Sequence, residues 1–486
     1  MCVPDPDVCM PPDGRGGTGR PPCARIRTAR FHGGVAYLTR TRLRAATAAG
    51  VLAAVLAGGA IAYADGQLDP AFNGGAPRVG TNAQGLAWST QSQRIPAVVQ
   101  ADGRIVVAGQ RAGAATLARF NADGTLDTTY GSGGFVSARF AGTPTSQPGN
   151  SAATALALDP SGDVLATGFG ASQSMFVARF SPTGAMTASV VCFAPHLIDY
   201  TAYAIAERPD GSAVIAGSAR DRWHGTPYKF YGARAVVQVT GGSARTNGCG
   251  SWSASPTTGA PLGSSGVVID GLGHDGTLLN GNLAGRIYHG VAARSDGSFV
   301  TAAINGAISS FTTAGAVDTG FGSGGTTTIP TAALHAVRVY PDGSVLAAGE
   351  GTGAGSARRL LVAKLGPGGN PSTGFGTAGV VRLLAGTGNN QGQALALQSD
   401  GRILIAGGAV TTGNVSSFAV ARLTAAGAPD TTWSPSGVVT TPLGATGYAT
   451  AIVPSASGFV VSGRRADSAL GNAYLDVVVA RYVGGP

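Results

Sequence analysis

Residues 101–134 read ADGRIVVAGQRAGAATLARFNADGTLDTTYGSGG and contain the pattern that decides the fold. The segment opens on a small-residue turn at Asp102 and Gly103, and an apolar run follows at 105–109. A second apolar run ends in Leu-Ala-Arg-Phe at 117–120, and a Gly-rich segment closes the unit at 123–134. Short apolar runs broken by Asp-Gly pairs are typical of β-strands joined by tight turns.

This unit recurs seven times along the chain. The turn glycine that precedes an apolar run appears at Gly103, Gly162, Gly211, Gly297, Gly343, Gly401 and Gly458. The spacings are 59, 49, 86, 46, 58 and 57 residues, which gives a period of about 57 with one insertion between the third and fourth copies. A fixed period of this length indicates a repeat architecture.

Each unit contains about four alternating apolar stretches, and no stretch after residue 64 shows a sustained helical period. Four short strands per repeat, repeated radially, predict an all-β fold, a seven-bladed β-propeller. The segment from Asp65 to Asp69 matches Asp123 to Asp127, whereas the last unit stops at 479–482. We therefore expect residues 65–486 to form the propeller, with the closing blade shared by the N- and C-termini, which protects edge strands.

The repeat resembles a known family. The sequence Asp-Gly-x-Ile/Val-x-x-Ala-Gly, then Val-Ala-Arg-Phe/Leu, then Asp-Gly-x-Leu-Asp-x-x-Phe/Tyr-Gly-x-Gly-Gly is similar to the delta-60 repeat of secreted bacterial β-propellers, in the style of NHL repeats. The resemblance spans essentially all of 65–486 and departs at 241–250 and at Ala303, which replaces the usual Gly. It implies a fold and a compartment, and no chemistry.

The first 64 residues predict export. Three arginines, Arg40, Arg42 and Arg44, precede an apolar run at 45–61, and Ala-Tyr-Ala follows at 62–64. These are the parts of a secretory signal peptide over 35–64; an uncleaved membrane anchor is the less favoured alternative. Residues 1–34 are interpreted as a disordered leader or a misassigned start. After cleavage we expect a secreted or cell-surface monomer with no stable membrane span.

The composition limits which side chains are available for catalysis and binding. The chain has 486 residues and a net charge of +9, but only two Glu and two Lys, so almost every cation is Arg. Eight of the arginines precede residue 65, and those after it are spread along the chain, which argues against a nucleic-acid partner.

A repeated Asp follows the Leu of the Gly-rich segment, at Asp69, Asp127, Asp318 and Asp430. Calcium prefers several converging oxygen ligands, and each motif offers one carboxylate, so we favour an Asx turn over a Ca²⁺ site and predict no cofactor. The aromatic residues that follow are expected to pack between blades, at Phe72, Tyr130, Phe321, Phe375 and Trp433.

A cation recurs at equivalent positions in five units, at Arg119, Arg179, Lys364, Arg422 and Arg481. These cations could form an anion-binding ring around the channel. We favour a structural ion pair, because Arg119 and Asp127, like Arg422 and Asp430, are eight residues apart.

The third unit departs from the repeat between 217 and 236. This loop is rich in Arg and aromatic residues and is the candidate binding surface, with Arg222, Trp223, His224, Tyr228, Lys229 and Tyr231 as its residues. The alternative is that the rings pack under the insertion at 241–290, which lacks a strand pattern. Cys192 and Cys249 are 57 residues apart, in near-equivalent places of neighbouring units, and we expect them to form a disulfide after export.

The favoured function is a secreted, non-catalytic scaffold that binds an extracellular protein or glycan. The alternative is a propeller enzyme, lactonase-like or lyase-like, acting at the channel mouth. Its candidate groups after residue 64 are Glu207, Glu350 and five histidines at His196, His224, His274, His289 and His335. No catalytic spacing occurs among them, although a propeller can gather distant residues at one face.

Overall fold

The computed structural model describes residues 66–80, 87–89, 94–140, 150–171, 174–192, 197–221, 230–238, 253–255, 266–270, 286–352, 357–410, 415–466 and 474–484. These residues form seven sheets that follow one another in a ring, antiparallel except for one short strand pair, and they include no α-helix. The predicted seven-bladed β-propeller is confirmed. No helix in the described ranges is long and apolar enough to cross a membrane.

The strands are numbered in chain order. The N-terminal strands are β1 (Arg78–Gly80) and β2 (Ala87–Ser89), after a 3₁₀ turn at Asn73–Gly75. Blade 1 contains β3 (Ala97–Val99), β4 (Ile105–Arg111), β5 (Ala114–Phe120) and β6 (Phe135–Ala138). Blade 2 contains β7 (Ala152–Leu158), β8 (Val164–Gly170), β9 (Ser174–Phe180) and β10 (Met186–Cys192). Blade 3 contains β11 (Leu197–Glu207), β12 (Ser212–Asp221), β13 (Phe230–Gln238), β14 (Ser253–Ser255) and β15 (Gly266–Asp270).

The remaining blades repeat the four-strand order. Blade 4 contains β16 (Tyr288–Ala293), β17 (Phe299–Ala303), β18 (Ala307–Phe311) and β19 (Thr326–Thr328). Blade 5 contains β20 (Ala332–Val339), β21 (Val345–Thr352), β22 (Arg358–Leu365) and β23 (Val380–Leu383). Blade 6 contains β24 (Asn390–Leu397), β25 (Ile403–Val410), β26 (Ser416–Leu423) and β27 (Val438–Thr441). Blade 7 contains β28 (Gly447–Ser455), β29 (Gly458–Ala466) and β30 (Tyr474–Val483).

The N-terminal segment completes blade 7. β1 pairs antiparallel with β30, with Arg78 opposite Val479, and β2 pairs with β30 further along. The backbone N–H of Asp69 donates to the carbonyl of Arg481 at 2.8 Å. The closing blade is therefore shared by the two ends of the chain, as the match between residues 65–69 and 123–127 predicts.

Blade 3 differs from the sequence expectation. The insertion at 241–290, expected to lack strands, supplies β15, which is the fourth strand of this blade, and β14, which pairs with β15 in parallel. The strands β12 and β13 also extend further than expected, with Ala219 opposite Tyr231. Pairing with β12 places the backbone of Tyr231 in a strand rather than in the loop to which the sequence assigns it.

The turn between the first and second strands explains the repeated glycine. Gly103 has φ of 82° and Gly162 has φ of 87°, a left-handed conformation that favours glycine because it has no Cβ. In each case the N–H of the glycine donates to the carbonyl three residues earlier.

The hydrophobic core lies between neighbouring blades. Tyr130 packs among residues of blades 1 and 2, and Trp433 packs among residues of blades 6 and 7. The five aromatic residues expected to pack between blades are all at most 2% exposed. Each blade therefore buries its faces against its two neighbours, as expected for a radial repeat.

Candidate functional site in the central channel

The first strand of six blades contains a β-bulge at the same position. In blade 5, Leu334 pairs with Gly349 and Ala336 pairs with Ala348, which leaves His335 as the extra residue. A bulge leaves one residue outside the ladder and re-aims its side chain. The six extra residues are Thr154, Tyr203, His289, His335, Gln393 and Thr450, and we call them the bulge ring.

In five of the six bulged blades, the glycine of the repeated Ala-Gly step lies against the backbone at the bulge. A Cβ at Gly349 would lie 1.9 Å from the carbonyl oxygen of Ala333, and one at Gly407 would lie 1.7 Å from that of Gln391. These carbonyls precede the extra residue by two positions. The motif glycine is thus coupled to the side chains that face the channel.

Two cavities lie in the channel, one of about 330 Å³ and one of about 130 Å³. The bulge ring and Arg94 line both cavities and so form the boundary between them. In the first strand of blade 3, Thr201 lines the larger cavity and Ile205 the smaller one, so the larger cavity lies where the first strands begin. In the part of the chain that the structure describes, Phe169 is the one apolar side chain lining the larger cavity.

Blade 1 contributes Arg94 in place of a bulged residue. The ring position of this blade is Ile95, which is 1% exposed, and its backbone N–H donates to Thr450 Oγ1 at 2.9 Å. Arg94 Nη1 donates to the carbonyls of Tyr203 at 3.2 Å and His289 at 3.3 Å. Arg94 therefore links the start of blade 1 to blades 3 and 4. Burial lowers the pKa of Arg94 to about 10, so its guanidinium stays charged at neutral pH.

A continuous set of polar side chains joins blades 3, 4 and 5. The rings of Tyr203 and His289 have centroids 4.5 Å apart, and His289 Nδ1 lies 2.8 Å from His335 Nδ1. His335 Nε2 lies 2.9 Å from Glu350 Oε2, and Arg358 Nη1 donates to the other carboxylate oxygen of Glu350 at 3.2 Å. Burial, the charge of Arg94 and the neighbouring His335 hold the pKa of His289 well below its usual 6.5. His289 is therefore neutral at neutral pH.

The opposite wall of the larger cavity carries a second cation. Arg464 lies over the ring of Tyr448 at 5.9 Å, and Tyr448 accepts a hydrogen bond from Ser416 Oγ at 2.9 Å. Burial lowers the pKa of Arg464. Among the described residues, no Asp or Glu lines this cavity. The described lining of the larger cavity thus presents two guanidinium groups and no carboxylate.

The structure brings together two of the predicted histidines and one of the two glutamates. His289, His335 and Glu350 meet at the channel, whereas Glu207 lies near Asp159 and Arg179, outside the lining of both cavities. His196, His224 and His274 lie outside the described residues. In the ranges that the structure covers, no group of three or more His, Cys, Asp or Glu is arranged to hold a metal ion.

Almost all of the loop that is predicted to bind a partner lies outside the described residues. Arg222, Trp223, His224, Tyr228 and Lys229 lie outside the described residues, and of Tyr231 only the backbone is described. Cys249 is also outside, and Cys192 is described as the last backbone position of β10. The binding loop and the disulfide therefore remain predictions.

The repeated cations lie outside the lining of both cavities, and three of the five contact a repeated aspartate. Arg119 Nε donates to Asp127 Oδ2 at 2.8 Å, and Arg422 Nε donates to Asp430 Oδ2 at 2.8 Å. Arg179 instead contacts Asp159 and Asp163, and Lys364 lies over the ring of Tyr340 at 4.6 Å.

The second carboxylate oxygen of each repeated aspartate accepts a backbone N–H two residues later, which is the contact of an Asx turn. The distances are 2.8 Å at Asp69, 3.0 Å at Asp127, 3.2 Å at Asp318 and 3.1 Å at Asp430.

The bulge ring was missed by sequence reasoning, although the sequence carries a signal for it. Each of its residues precedes the turn glycine of its unit by eight positions, as His335 precedes Gly343. Reading that column across the repeat gives the polar residues of six blades and Ile95 in the seventh. Their convergence follows only from closure of the ring.

Comparisons with known proteins agree with the fold at a coarse level. A family model described as a β-propeller domain of unknown function (DUF5122) matches residues 100–130 and 398–432, in blades 1 and 6. A search of curated proteins gave no significant match.

The chain is also similar to solved propeller structures. One is the crystal structure of selenomethionine-substituted virginiamycin B lyase from Staphylococcus aureus, with 12% identity and a TM-score of 0.41, covering 80% of this chain and 97% of that chain. Another is the WD40 β-propeller domain of Doa1, with 11% identity and a TM-score of 0.41, covering 81% of this chain and 95% of that chain.

Proposed function

We propose that this protein is an exported binding propeller whose central channel holds a small anionic ligand. The observation that carries the proposal is the larger cavity of about 330 Å³, whose described lining contains Arg94, Arg464 and polar side chains but no carboxylate. Cavities that hold small molecules typically start at about 300 Å³. A compact carboxylate therefore suits this cavity better than a polymer.

Two arginines that line the cavity each have a buried donor without a partner, which supports an anion beside them. Arg94 Nη2 and Arg464 Nε are buried and have no hydrogen-bond partner among the described residues. A buried guanidinium N–H without an acceptor is unfavourable, and a carboxylate would accept from it in a charge-assisted hydrogen bond. Tyr448 and Gln393 add neutral polar groups for hydroxyl or carbonyl oxygens.

The binding test uses pairs of ligands that differ in charge. Titration calorimetry with succinate and D-galacturonate, against succinamide and D-galactose, should show binding of the two anions only. Arg464→Gln should weaken anion binding at least about tenfold, since a hydrogen bond to a charged group contributes about 1.5–3 kcal/mol. Arg382→Gln removes an exposed arginine on the outer strand of blade 5 and should leave binding unchanged. Equal affinity for the neutral analogues, or an unaffected Arg464→Gln variant, would contradict the proposal.

Export is part of the same proposal and rests on the sequence of residues 35–64. The loop at 222–229 is proposed as a separate surface for an extracellular protein or glycan. Trp223→Ala combined with Tyr228→Ala should keep the melting temperature and lose that partner, and loss of folding would instead assign the rings to packing. N-terminal sequencing of secreted protein should start at Asp65, and a start before that residue would count against cleavage.

A propeller enzyme is the second candidate. One observation favours it. Successive side-chain contacts connect Tyr203, His289, His335 and Glu350, beside the two arginines of the cavity.

A further inference from the structure

The contacts of His335 indicate which of its two ring nitrogens carries the proton. Its Nε2 atom lies 2.9 Å from Glu350 Oε2, an ion-pair distance at an angle outside hydrogen-bond geometry, and a carboxylate oxygen cannot donate when ionised. Two acceptors at this distance would repel, so Nε2 carries the hydrogen. In the neutral ring, Nδ1 of His335 is then the acceptor.

The position of the proton on the His289 ring follows from its position on His335. Because His335 Nδ1 accepts, the 2.8 Å contact between the two Nδ1 atoms requires His289 Nδ1 to donate. In the neutral ring of His289, Nε2 is then left with its lone pair. Nε2 of His289 has no hydrogen-bond partner among the described residues, and His289 lines both cavities.

We infer that His289 Nε2 is a general base that removes a proton from a carbon acid bound in the larger cavity. This inference rests on the proposed ligand site and adds a chemical step to it. In that step the C–H proton moves to Nε2 and the bonding electron pair stays on the substrate. Arg94 and Arg464 stabilise the negative charge that develops, as preorganised cations do in a water-poor site.

His335 and Glu350 act on this step through His289. When Nε2 takes the proton, the positive charge of the His289 imidazolium is shared through Nδ1 with His335 and is stabilised by Glu350. Glu350 is 5% exposed and held in place by Arg358, so its charge acts at low solvent screening. His335 and Glu350 are therefore positioning residues, and His289 is the catalytic residue.

The protonation state of His289 suits this role. Burial, Arg94 and His335 lower its pKa well below 6.5, so the base is free at neutral pH. The groups that face it are Arg94, before β3, Tyr203 on β11 and His335 on β20, with Glu350 behind His335.

The test uses 5-nitrobenzisoxazole, a probe that reports proton removal without knowledge of the natural substrate. A base takes the proton from C3, the C–H electrons form the nitrile, the N–O bond breaks, and coloured 2-cyano-4-nitrophenolate is released. The full-length protein should accelerate this reaction over buffer, and succinate should inhibit it by occupying the cavity. His289→Gln should lower the rate about 100-fold or more, the usual contribution of a general base. His289→Gly with added imidazole should recover part of the rate.

The pH profile distinguishes positioning from structural damage. The rate should fall as pH decreases through the pKa of His289. In Glu350→Gln the lost negative charge lowers that pKa further, so the falling limb should move to lower pH and the plateau rate should decrease. Arg382→Gln is the matched control and should keep both the profile and the rate.

The two proposals fail in different ways. If His289→Gln binds succinate as wild type does and the wild-type protein shows no acceleration over buffer, the general base is wrong and the anion site stands. If the probe reacts through His289 but no anion binds or inhibits, the anion site is wrong and the base stands. An unchanged rate in both His289→Gln and His289→Gly would overturn the inference whatever the anion result.

Discussion

At the scale of single residues, a three-part contact recurs near the end of the third strand. Arg119 lies between Asp127 and the ring of Tyr130, 4.5 Å from its centroid, and Arg422 lies between Asp430 and Trp433. In blade 4 the repeat position is Ser310, and Arg294 from the turn after β16 donates to it and lies over Phe321 at 5.9 Å. The cation is thus supplied from elsewhere where the repeat lacks it, which supports the proposal of a structural role.

Removing one partner of the buried pair should be costly. Asp127→Asn leaves Arg119 without its buried counter-charge and should lower the free energy of unfolding by about 3 kcal/mol. Asp102→Asn is the control, because its pair with Arg104 is about half exposed and should contribute less than about 1 kcal/mol. Urea denaturation measures both. Equal stability of the two variants would show that the buried pair contributes no more than the exposed pair and would contradict the structural role.

The lowered pKa of His289 predicts a pH-dependent stability. The folded state binds the proton less readily than the unfolded chain, whose histidine pKa is near 6.5. The contribution of His289 to stability is therefore fully present above 6.5 and is lost as pH falls below it. Unfolding of wild type and His289→Gln in urea at about pH 7.5 and about pH 5.5 checks this. Wild type should lose more stability on acidification than the variant, and an equal loss would contradict the prediction.

At the scale of strands, the bulge in the first strand and the glycine in the second strand form one structural unit. The Ala-Gly step on the second strand allows a carbonyl of the first strand to approach, and the extra residue then faces the channel. Blade 4 has Ala303 at this position and still bulges at His289.

Gly407→Ala tests this structural unit. Its Cβ would collide with the carbonyl of Gln391, so the bulge at Gln393 must shift and stability should fall by about 1–3 kcal/mol. Gly374→Ala is the control, because a Cβ there meets no atom within 4 Å. Thermal melting should separate the two variants, and the succinate titration should also change for Gly407→Ala alone. A neutral Gly407→Ala would show that the strand adapts without cost.

The cysteine pair is a prediction at the same scale. Cys192 and Cys249 should form a disulfide once the chain is exported, because free thiols rarely persist in an oxidising compartment. Intact mass and thiol titration of the denatured, non-reduced protein measure this. Two titratable thiols would exclude the bridge.

At the scale of the whole molecule, closure depends on both ends of the chain. Asp69 Oδ2 accepts from Arg481 Nε at 2.7 Å, although the two residues are 412 positions apart. Phe72 is 1% exposed and packs with residues of blades 7 and 1. The N-terminal segment thus supplies to blade 7 the same motif that each internal unit supplies to its own blade.

Loss of this segment should open the ring. Deletion of residues 65–80 removes β1, the partner of Arg481 and the buried ring of Phe72, and should lower both melting temperature and solubility. Phe72→Ala should by itself cost about 3–5 kcal/mol. Leu384→Ala, at a side chain that is 50% exposed, is the control and should be nearly neutral. An unchanged melting temperature of the deletion variant would refute the shared blade.

The sequence by itself determined the number of blades, the turn glycines and the closure. Each of these depends on a local pattern that is repeated, and a repeat of about 57 residues can be read without knowing what any unit contacts. Even the Asp69–Arg481 pair is visible as a copy of the local Asp127–Arg119 pair. The strands of the insertion at 241–290 were missed because they carry no such pattern.

Only the tertiary structure decided the channel site. His289 and His335 are 46 residues apart, and nothing in either local segment marks it as functional. They meet because blades 4 and 5 are neighbours in a closed ring and because a bulge turns one side chain of each first strand into the channel. Glu350 reaches them from the second strand of blade 5, and Arg94 from the start of blade 1, 195 residues before His289. The physical reason is that secondary structure follows from local sequence, whereas a site built from single residues of many blades exists only once closure has fixed the distances between them.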